Sequence, residues 1–440
     1  MKNNILRKLS VCLIITLLFG NGCSAKMDPV EKEESLVENV SGNQSITENV
    51  SDETEDASSD ISSTTSVFVS SNGKAQTEKT SSILSSGNAV STSSYPPTPA
   101  GQTYVPSDGN VLQVNEDTVT VYGRHHEKDG ALAFCNSSTG IGFAFYGSAL
   151  AVELDSTSFA ANLESYATVY VDDREPVVVK ITEARYYTVA KNLNEKTVHN
   201  VRILKRSEAN QGEMLIRSLK ISAGGKFYTA VQNTSGRKIQ VLGDSITCGV
   251  GNLYVSGDAT QSLDYEDGCQ TYATMLAEQF HAELDLVAIS GIGVGNSQNQ
   301  PWPLLPVYKK ADNSSNISFD FESFVPDVVI ISLGTNDDAC GNTGDEFYAN
   351  ACEYIYTIRE NYPKAYILWT YGVMSQNNMN NIRKVIIDLK ALGDDRLYFV
   401  PLDKPSGDEL PLGLYGHPSL KTHQRMASVL ANQIKQLTGW

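Results

Sequence analysis

The sequence predicts two folded domains of different class: a β-sandwich, then an α/β domain built on a parallel sheet. Three observations carry this. Between residues 104 and 230, short alternating runs such as Ile141-Gly142-Phe143-Ala144-Phe145 recur between Gly, Asn and Asp, with no long helical period. Many short strands at regular spacing suggest paired antiparallel sheets. From residue 237 to 440, apolar strand-like runs alternate with helical periods, the pattern of a parallel sheet with helices on both faces. Ahead of both, residues 24–103 are dominated by Ser, Thr, Glu, Asp and Asn, a composition that cannot bury enough apolar surface to offset chain entropy.

At the start, Lys2, Arg7 and Lys8 precede the apolar run Val11 to Phe19, which is too short to span a bilayer and reads as an export signal over residues 1–23. Gly20-Asn21-Gly22-Cys23 resembles a bacterial lipobox. A lipid on Cys23 would tether the chain at the cell surface without making it span the membrane; plain secretion is the alternative. The linker 24–103 is expected to be disordered, and it ends in the stiffer Tyr95-Pro96-Pro97-Thr98-Pro99.

In the sandwich, residues 149–154, 168–171 and 198–204 alternate as strands alongside 141–145, and a jelly roll is the expected topology. In the second domain, strands are expected over 239–242, 284–289, 327–333 and 365–370. Helices are expected over 272–280, 346–360, 380–392 and 422–437.

The 440 residues carry a formal charge of -17, which disfavours nucleic acid and anionic membrane surfaces as partners. Beyond the signal and Cys23, five cysteines remain, an odd number that argues against a full disulfide framework, although Cys340 and Cys352 could pair. No Cys/His spacing suits zinc.

Four blocks in the second domain could do chemistry. Gly243-Asp244-Ser245 follows the run Ile239 to Leu242, so its hydroxyl sits at the carboxyl edge of a sheet, where ligands of open α/β sheets gather. A helix-capping serine is the plain alternative; a nucleophile there needs a histidine and amide donors for the oxyanion. Ser290-Gly291-Ile292-Gly293-Val294-Gly295 follows the next strand, and its glycines let a backbone amide approach a ligand. It has neither the Gly-Lys-Ser/Thr of a phosphate loop nor the dinucleotide spacing. Asn336, in Gly334-Thr335-Asn336-Asp337, offers a neutral N–H donor where a turn asparagine is also common. Of six histidines, three lie in the sandwich, His281 ends a helix and His423 falls inside the last helix; His417, in Gly416-His417-Pro418-Ser419, sits on a loop and is the candidate base.

In this order the four blocks resemble the SGNH, or GDSL, hydrolase superfamily over residues 237–440. With Gly243-Asp244-Ser245-Ile246-Thr247-Cys248-Gly249, Gly251-Asn252, and the sandwich segments Gly123-Arg124, Tyr170-Val171-Asp172 and His199-Asn200-Val201, the chain from about 105 onward is similar to carbohydrate esterase family two. Members of that family pair a jelly-roll domain with an SGNH domain and remove acetyl groups from plant cell-wall polysaccharides. The resemblance implies a flavodoxin-like parallel sheet, with Ser245 as nucleophile and His417 as general base. The backbone amides of Ser245 and Gly291, with the side chain of Asn336, would form the oxyanion hole; Gly293 is the rival for the glycine role. No metal or organic cofactor is implied.

One departure matters. The superfamily usually carries an aspartate two or three residues before the histidine, where this chain has Tyr415 and Leu414. The resemblance admits dyad enzymes in which a backbone carbonyl orients the imidazole. The third group chiefly fixes tautomer and orientation, so a Ser–His dyad is expected; Asp403 and Asp408 are upstream candidates with the wrong spacing. Trp302, on the Pro-flanked loop after the glycine block, and Tyr371, after a strand, are candidate sugar contacts, whereas Trp369 reads as core. The expected activity is a monomeric, surface-anchored or secreted O-acetyl esterase acting on acetylated xylan or glucomannan. A lipase- or thioesterase-like SGNH enzyme and a non-catalytic carbohydrate-binding surface protein are the alternatives.

Overall fold

Alternation in the first folded region builds two antiparallel sheets. A computed structural model describes residues 100–440 except 159–162, 232–234, 257–261, 299, 301, 314–315 and 407–409; the signal, Cys23, most of the linker and Asp408 lie outside the described residues. One sheet runs in the order Tyr104–Val105, Lys226–Thr229, Gly140–Tyr146, Val198–Lys205, Ser165–Val171, Val177–Ile181, with Thr120–Tyr122 added to Gly140–Tyr146. The other runs Arg185–Ala190, Leu150–Ser156, Met214–Ile221, Ala131–Phe134, His126–Lys128, with Val111–Gln113 added to Met214–Ile221. Leu150, Val152 and Leu154 point inward while their neighbours are half-buried, the two-residue period of a one-sided strand. They pack with Phe134, Phe143, Phe145, Ile203, Ile216 and Phe227 in one core drawn from both sheets.

The second domain is a five-stranded parallel sheet: β1 (Lys238–Gly243), β2 (Glu283–Ala288), β3 (Val328–Ser332), β4 (Tyr366–Tyr371) and β5 (Leu397–Pro401). The spatial order is 2-1-3-4-5, the flavodoxin-like arrangement, whose ligands bind where strand order reverses. β3 shows why its sequence is an unbroken apolar run: Val328 and Ile330 face one helical layer, Val329 and Ile331 the other. The helices are α1 (Ser245–Cys248), α2 (Tyr272–Phe280), α3 (Leu304–Tyr308), α4 (Thr335–Ala339), α5 (Asp345–Asn361), α6 (Met379–Ala391) and α7 (Leu420–Thr438). In α7, Thr422, His423, Met426, Ala427, Leu430, Ala431 and Ile434 form the buried stripe of a 3.6-residue period. Ser419 caps its first turn by accepting from the Thr422 amide, a contact worth about 1 kcal/mol. The five described cysteines are thiols, and no disulfide joins Cys340 to Cys352.

The domains are bolted together by buried charge. Arg124, from the sandwich, donates through Nε to Asp285 of β2 at 3.1 Å and through Nη1 to the carbonyls of Tyr308 and Lys310. Its guanidinium lies 3.6 Å from the Phe319 ring centroid. Gln240 of β1 donates to the same Asp285 at 2.7 Å, so this carboxylate is fully answered on both sides of the domain boundary, as a buried charge requires.

Candidate active site

Parallel register brings three loops out of the sheet at one level. Gly243 pairs with Ala288 on one side and with Ser332 on the other, so Ser245, the Ser290–Gly291 peptide and Asn336 all emerge at the same carboxyl edge. Asp244 follows β1 and caps α1 by accepting from the Ile246 amide at 3.0 Å. Burial, followed by the charge of Asp337, pushes its carboxyl up to about 7 against the effect of that amide bond.

His417 reaches Ser245 across the sequence. The Ser245 hydroxyl lies 2.8 Å from His417 Nε2, and His417 Nδ1 lies 3.2 Å from the Leu414 carbonyl. A carbonyl can only accept, so Nδ1 carries the proton and the Nε2 lone pair faces Ser245. Burial holds the imidazole below its ordinary pKa, opposed by the bond to Leu414. The loop is pinned by backbone. The Leu414 amide donates to Gly251 at 3.0 Å, Gly413 to the His417 carbonyl at 2.7 Å, and Leu420 to Asn252 at 2.8 Å. Gly251 has φ +64°, and a Cβ there would lie 2.8 Å from the Leu414 nitrogen. Tyr415 adopts φ 55°, a left-handed conformation rare outside glycine that turns the loop between Leu414 and His417.

The other histidine of this region is a core residue. His423 is fully buried, accepts from the Tyr272 amide at 3.2 Å and stacks on the Tyr272 ring. Burial, then the neighbouring His417, drives its pKa to about 3.

Gly291 and Gly293 are separated by their amides. The Gly293 amide donates to Ser297 Oγ at 2.9 Å, whereas among the described residues nothing accepts from the Gly291 amide, and Gly291 lines the cleft. Gly291 has φ +81°, and a Cβ there would meet the Gln298 carbonyl at 2.1 Å. Asp337 fixes the rest of this loop by accepting from the amides of Val294, Gly295 and Asn296 at 2.8, 2.8 and 3.0 Å. Asn336 Nδ2 donates to the Ile292 carbonyl at 2.8 Å and only weakly, at 3.4 Å, to Asp244. Its second hydrogen is therefore nearly uncommitted at the cleft wall.

These groups share a cleft of about 680 Å³. Ser245, Gly291, Asn336 and His417 line it together with Glu208, Asn210 and Gln211 of the sandwich, and with Gln298, Gln300 and Tyr415. Neither candidate sugar contact is in its wall. Tyr371 is buried beneath it, its hydroxyl donating to Ser375 at 2.8 Å, because the last residue of β4 turns inward against Gly334. Trp302, just ahead of α3, is 43% exposed and is not among the cleft-lining residues. Trp369 is fully buried. Asp403 is held at the surface by Arg425 at 3.2 Å with its side chain 86% exposed, and among the described residues no carboxylate bonds His417. Tyr415 and the sandwich residues Glu208, Asn210 and Gln211 escape sequence reasoning; only the loop position beside His417 could have pointed to Tyr415.

One group of metal-ligand type exists among the described residues. His126, Glu213 and Asp312 place ligand atoms within 4.8 Å of one another, and none of them lines the cleft. Lys128 already bonds the Glu213 carboxylate and the His126 ring lies between both acids, so the cluster reads as a charged link between domains.

A 2-1-3-4-5 sheet with Gly-Asp-Ser after its first strand and a histidine ahead of its last helix is the arrangement that the resemblance to SGNH, or GDSL, hydrolases implies. Residues 241–425 match the GDSL-like Lipase/Acylhydrolase family model, and residues 121–230 match the Carbohydrate esterase 2 N-terminal model. The two folded domains are thus similar, one after the other, to the two halves of carbohydrate esterase family two. It is 32% identical over 250 residues to Cellulase/esterase CelE of Acetivibrio thermocellus, covering 55% of this chain and 30% of that protein's length. It is 24% identical to an acetylxylan esterase / glucomannan deacetylase of Cellvibrio japonicus, covering 76% of this chain and 93% of that one. A family two carbohydrate esterase from Clostridium thermocellum in complex with cellohexaose superposes with a TM-score of 0.67 at 28% identity, over 73% of this chain and 99% of that chain.

Proposed function

We propose that the protein is a carbohydrate O-acetyl esterase that deacetylates plant cell-wall polysaccharides of the xylan or glucomannan type through a Ser–His dyad. The observation that carries this reading is the 2.8 Å contact between Ser245 Oγ and His417 Nε2 at the wall of the cleft. Ser245 Oγ attacks the acetyl carbonyl as its proton passes to Nε2. The new oxyanion faces the amides of Ser245 and Gly291 and the second Nδ2 hydrogen of Asn336. His417 then returns the proton to the departing sugar oxygen, leaving an acetyl-enzyme and a free sugar hydroxyl. Water, deprotonated by Nε2, attacks that ester; acetate leaves and Ser245 regains its proton.

The Leu414 carbonyl takes the place of the third triad member, holding the Nδ1 tautomer. The depressed pKa of His417 keeps it neutral and ready as a base at pH 7. Side-chain amides of Asn210, Gln211, Gln298 and Gln300 line the cleft beside the apolar Val250, Leu263 and Met374 and offer hydrogen-bond partners for sugar hydroxyls. The relatives named for acetylxylan esterase and glucomannan deacetylase activity, and the relative crystallised with cellohexaose, support a polysaccharide partner. A jelly-roll path for the sandwich, a monomeric state and surface display through lipid on Cys23 belong to the same reading.

The test is acetate release from acetylated xylan, glucomannan and monosaccharide acetates, alongside acetyl to octanoyl aryl esters. The reading expects acetyl turnover that falls with acyl length and is abolished in Ser245→Ala. Faster octanoyl than acetyl hydrolysis, or activity retained in Ser245→Ala, would overturn it.

A further inference from the structure

We propose that Glu208 and Asn210 of the sandwich are positioning residues that aim the Gly291 amide at the oxyanion, so the oxyanion hole is completed across the domain boundary. This rests on the proposed role of that amide. Ser290, the residue before Gly291, is gripped by both of its backbone groups. Its N–H donates to Glu208 Oε2 at 2.8 Å. Its carbonyl accepts from Asn210 Nδ2 at 3.3 Å and from Gln300 Nε2 at 2.9 Å.

The Ser290 carbonyl and the Gly291 N–H belong to one planar trans peptide, so they point in opposite directions. Fixing the carbonyl towards Asn210 and Gln300 therefore fixes where the Gly291 hydrogen points. The grip is itself braced: Asn210 Nδ2 also reaches Glu208 Oε2 at 3.3 Å, and Gln300 Nε2 donates to Asn210 Oδ1 at 3.1 Å. Glu208 is held at its own backbone, its amide donating to Glu266 Oε1 at 2.7 Å and its carbonyl accepting from Lys205 Nζ at 2.7 Å. Glu208 is buried, and the Ser290 and Cys248 side chains also bond its carboxyl.

Burial raises the Glu208 pKa. What the grip requires is only an acceptor oxygen, which either form of the acid supplies. A glutamine at 208 would supply one too, which separates positioning from charge.

The experiment is steady-state hydrolysis of an aryl acetate by the full chain and its Glu208→Ala, Asn210→Ala, Gln300→Ala, Glu208→Ala/Asn210→Ala and Glu208→Gln variants, each with a thermal melt. Outright loss of one oxyanion donor costs about 10²–10³ in kcat; a misaimed one should cost about tenfold or more, with KM within about twofold. Because Glu208 and Asn210 hold the two backbone groups of one residue, Ser290, and bond each other, the double variant should lose much less than the product of the single losses, and Glu208→Gln should keep most of kcat. If Glu208→Ala does not fold, Gln300→Ala, which grips the same carbonyl from within the catalytic domain, carries the test. Folded alanine variants with kcat within about twofold of wild type, a loss confined to KM, or a Glu208→Gln as impaired as Glu208→Ala would overturn the proposal. Ser245→Ala in the same assay separates the two readings: retained activity there defeats the proposed function, whereas full loss there with unaffected grip variants defeats only this inference.

Discussion

Ser245 and His417 on one side of the cleft, and the Ser290–Gly291 peptide on the other, are fixed by different kinds of bond. The proposed nucleophile and base are held within the catalytic domain, through the Asp244 side chain that caps α1 and the amide–carbonyl contacts among Gly251, Asn252, Gly413, Leu414 and Leu420. Ser290, ahead of the glycine, is held at both backbone groups by side chains, two of them reaching over from the sandwich. The comparison teaches that the Ser245–His417 pair is a local property of one domain, while the Gly291 amide proposed as oxyanion donor depends on how the two domains meet.

The largest effects should come from the dyad. Ser245→Ala and His417→Ala should each lower kcat about 10⁴-fold or more, and the two together little further, as expected for groups that act as a unit; a double variant losing the product of both would break the dyad account. Next is Asn336→Ala, expected to lower kcat about 10²–10³-fold with KM little changed. Gly251→Ala probes the backbone-held side: its Cβ would press on Leu414 and displace the histidine loop, so about a 10²-fold loss in kcat is expected, and unaltered kinetics would show that the loop is held elsewhere. A smaller, graded effect is the pH profile. The base must be neutral, and burial lowers the His417 pKa. kcat/KM should therefore rise with pH through a value below the ordinary 6.5 and be flat by neutrality. An acid limb centred above 6.5 would point to a charged partner at Nδ1.

What could be read from the sequence follows the same division. Ser245, Asn336 and His417 sit directly after apolar strands or ahead of a periodic helix, so local pattern places them at one sheet edge, and the parallel register brings them together. The four strands and four helices expected in 237–440 lie within a residue or two of their bounds because buried parallel strands and amphipathic helices write their periods into the chain; the short α1, α3 and α4 carry no such period. β5 is half exposed, and its short run carries too little contrast to be seen. Gly291 and Gly293 look alike in sequence; only the Ser297 hydroxyl, which takes the Gly293 amide, tells them apart. Glu208 and Asn210 stand in a turn of a β domain, with no period or motif to mark them, and their role exists only in tertiary contact. Tyr371 illustrates the converse: position after a strand suggested the cleft, but the side chain faces inward to Ser375.

The central claim is a serine–histidine pair oriented by the Leu414 carbonyl, without a carboxylate. The most direct measurement is kcat/KM for acetate release by an Asp403→Ala/Asp408→Ala double variant beside His417→Ala. The account predicts that the double variant stays within about twofold of wild type while His417→Ala is inactive. Loss of a true third triad carboxylate costs about 10⁴ in kcat, and a fall of that order in the folded double variant would contradict it.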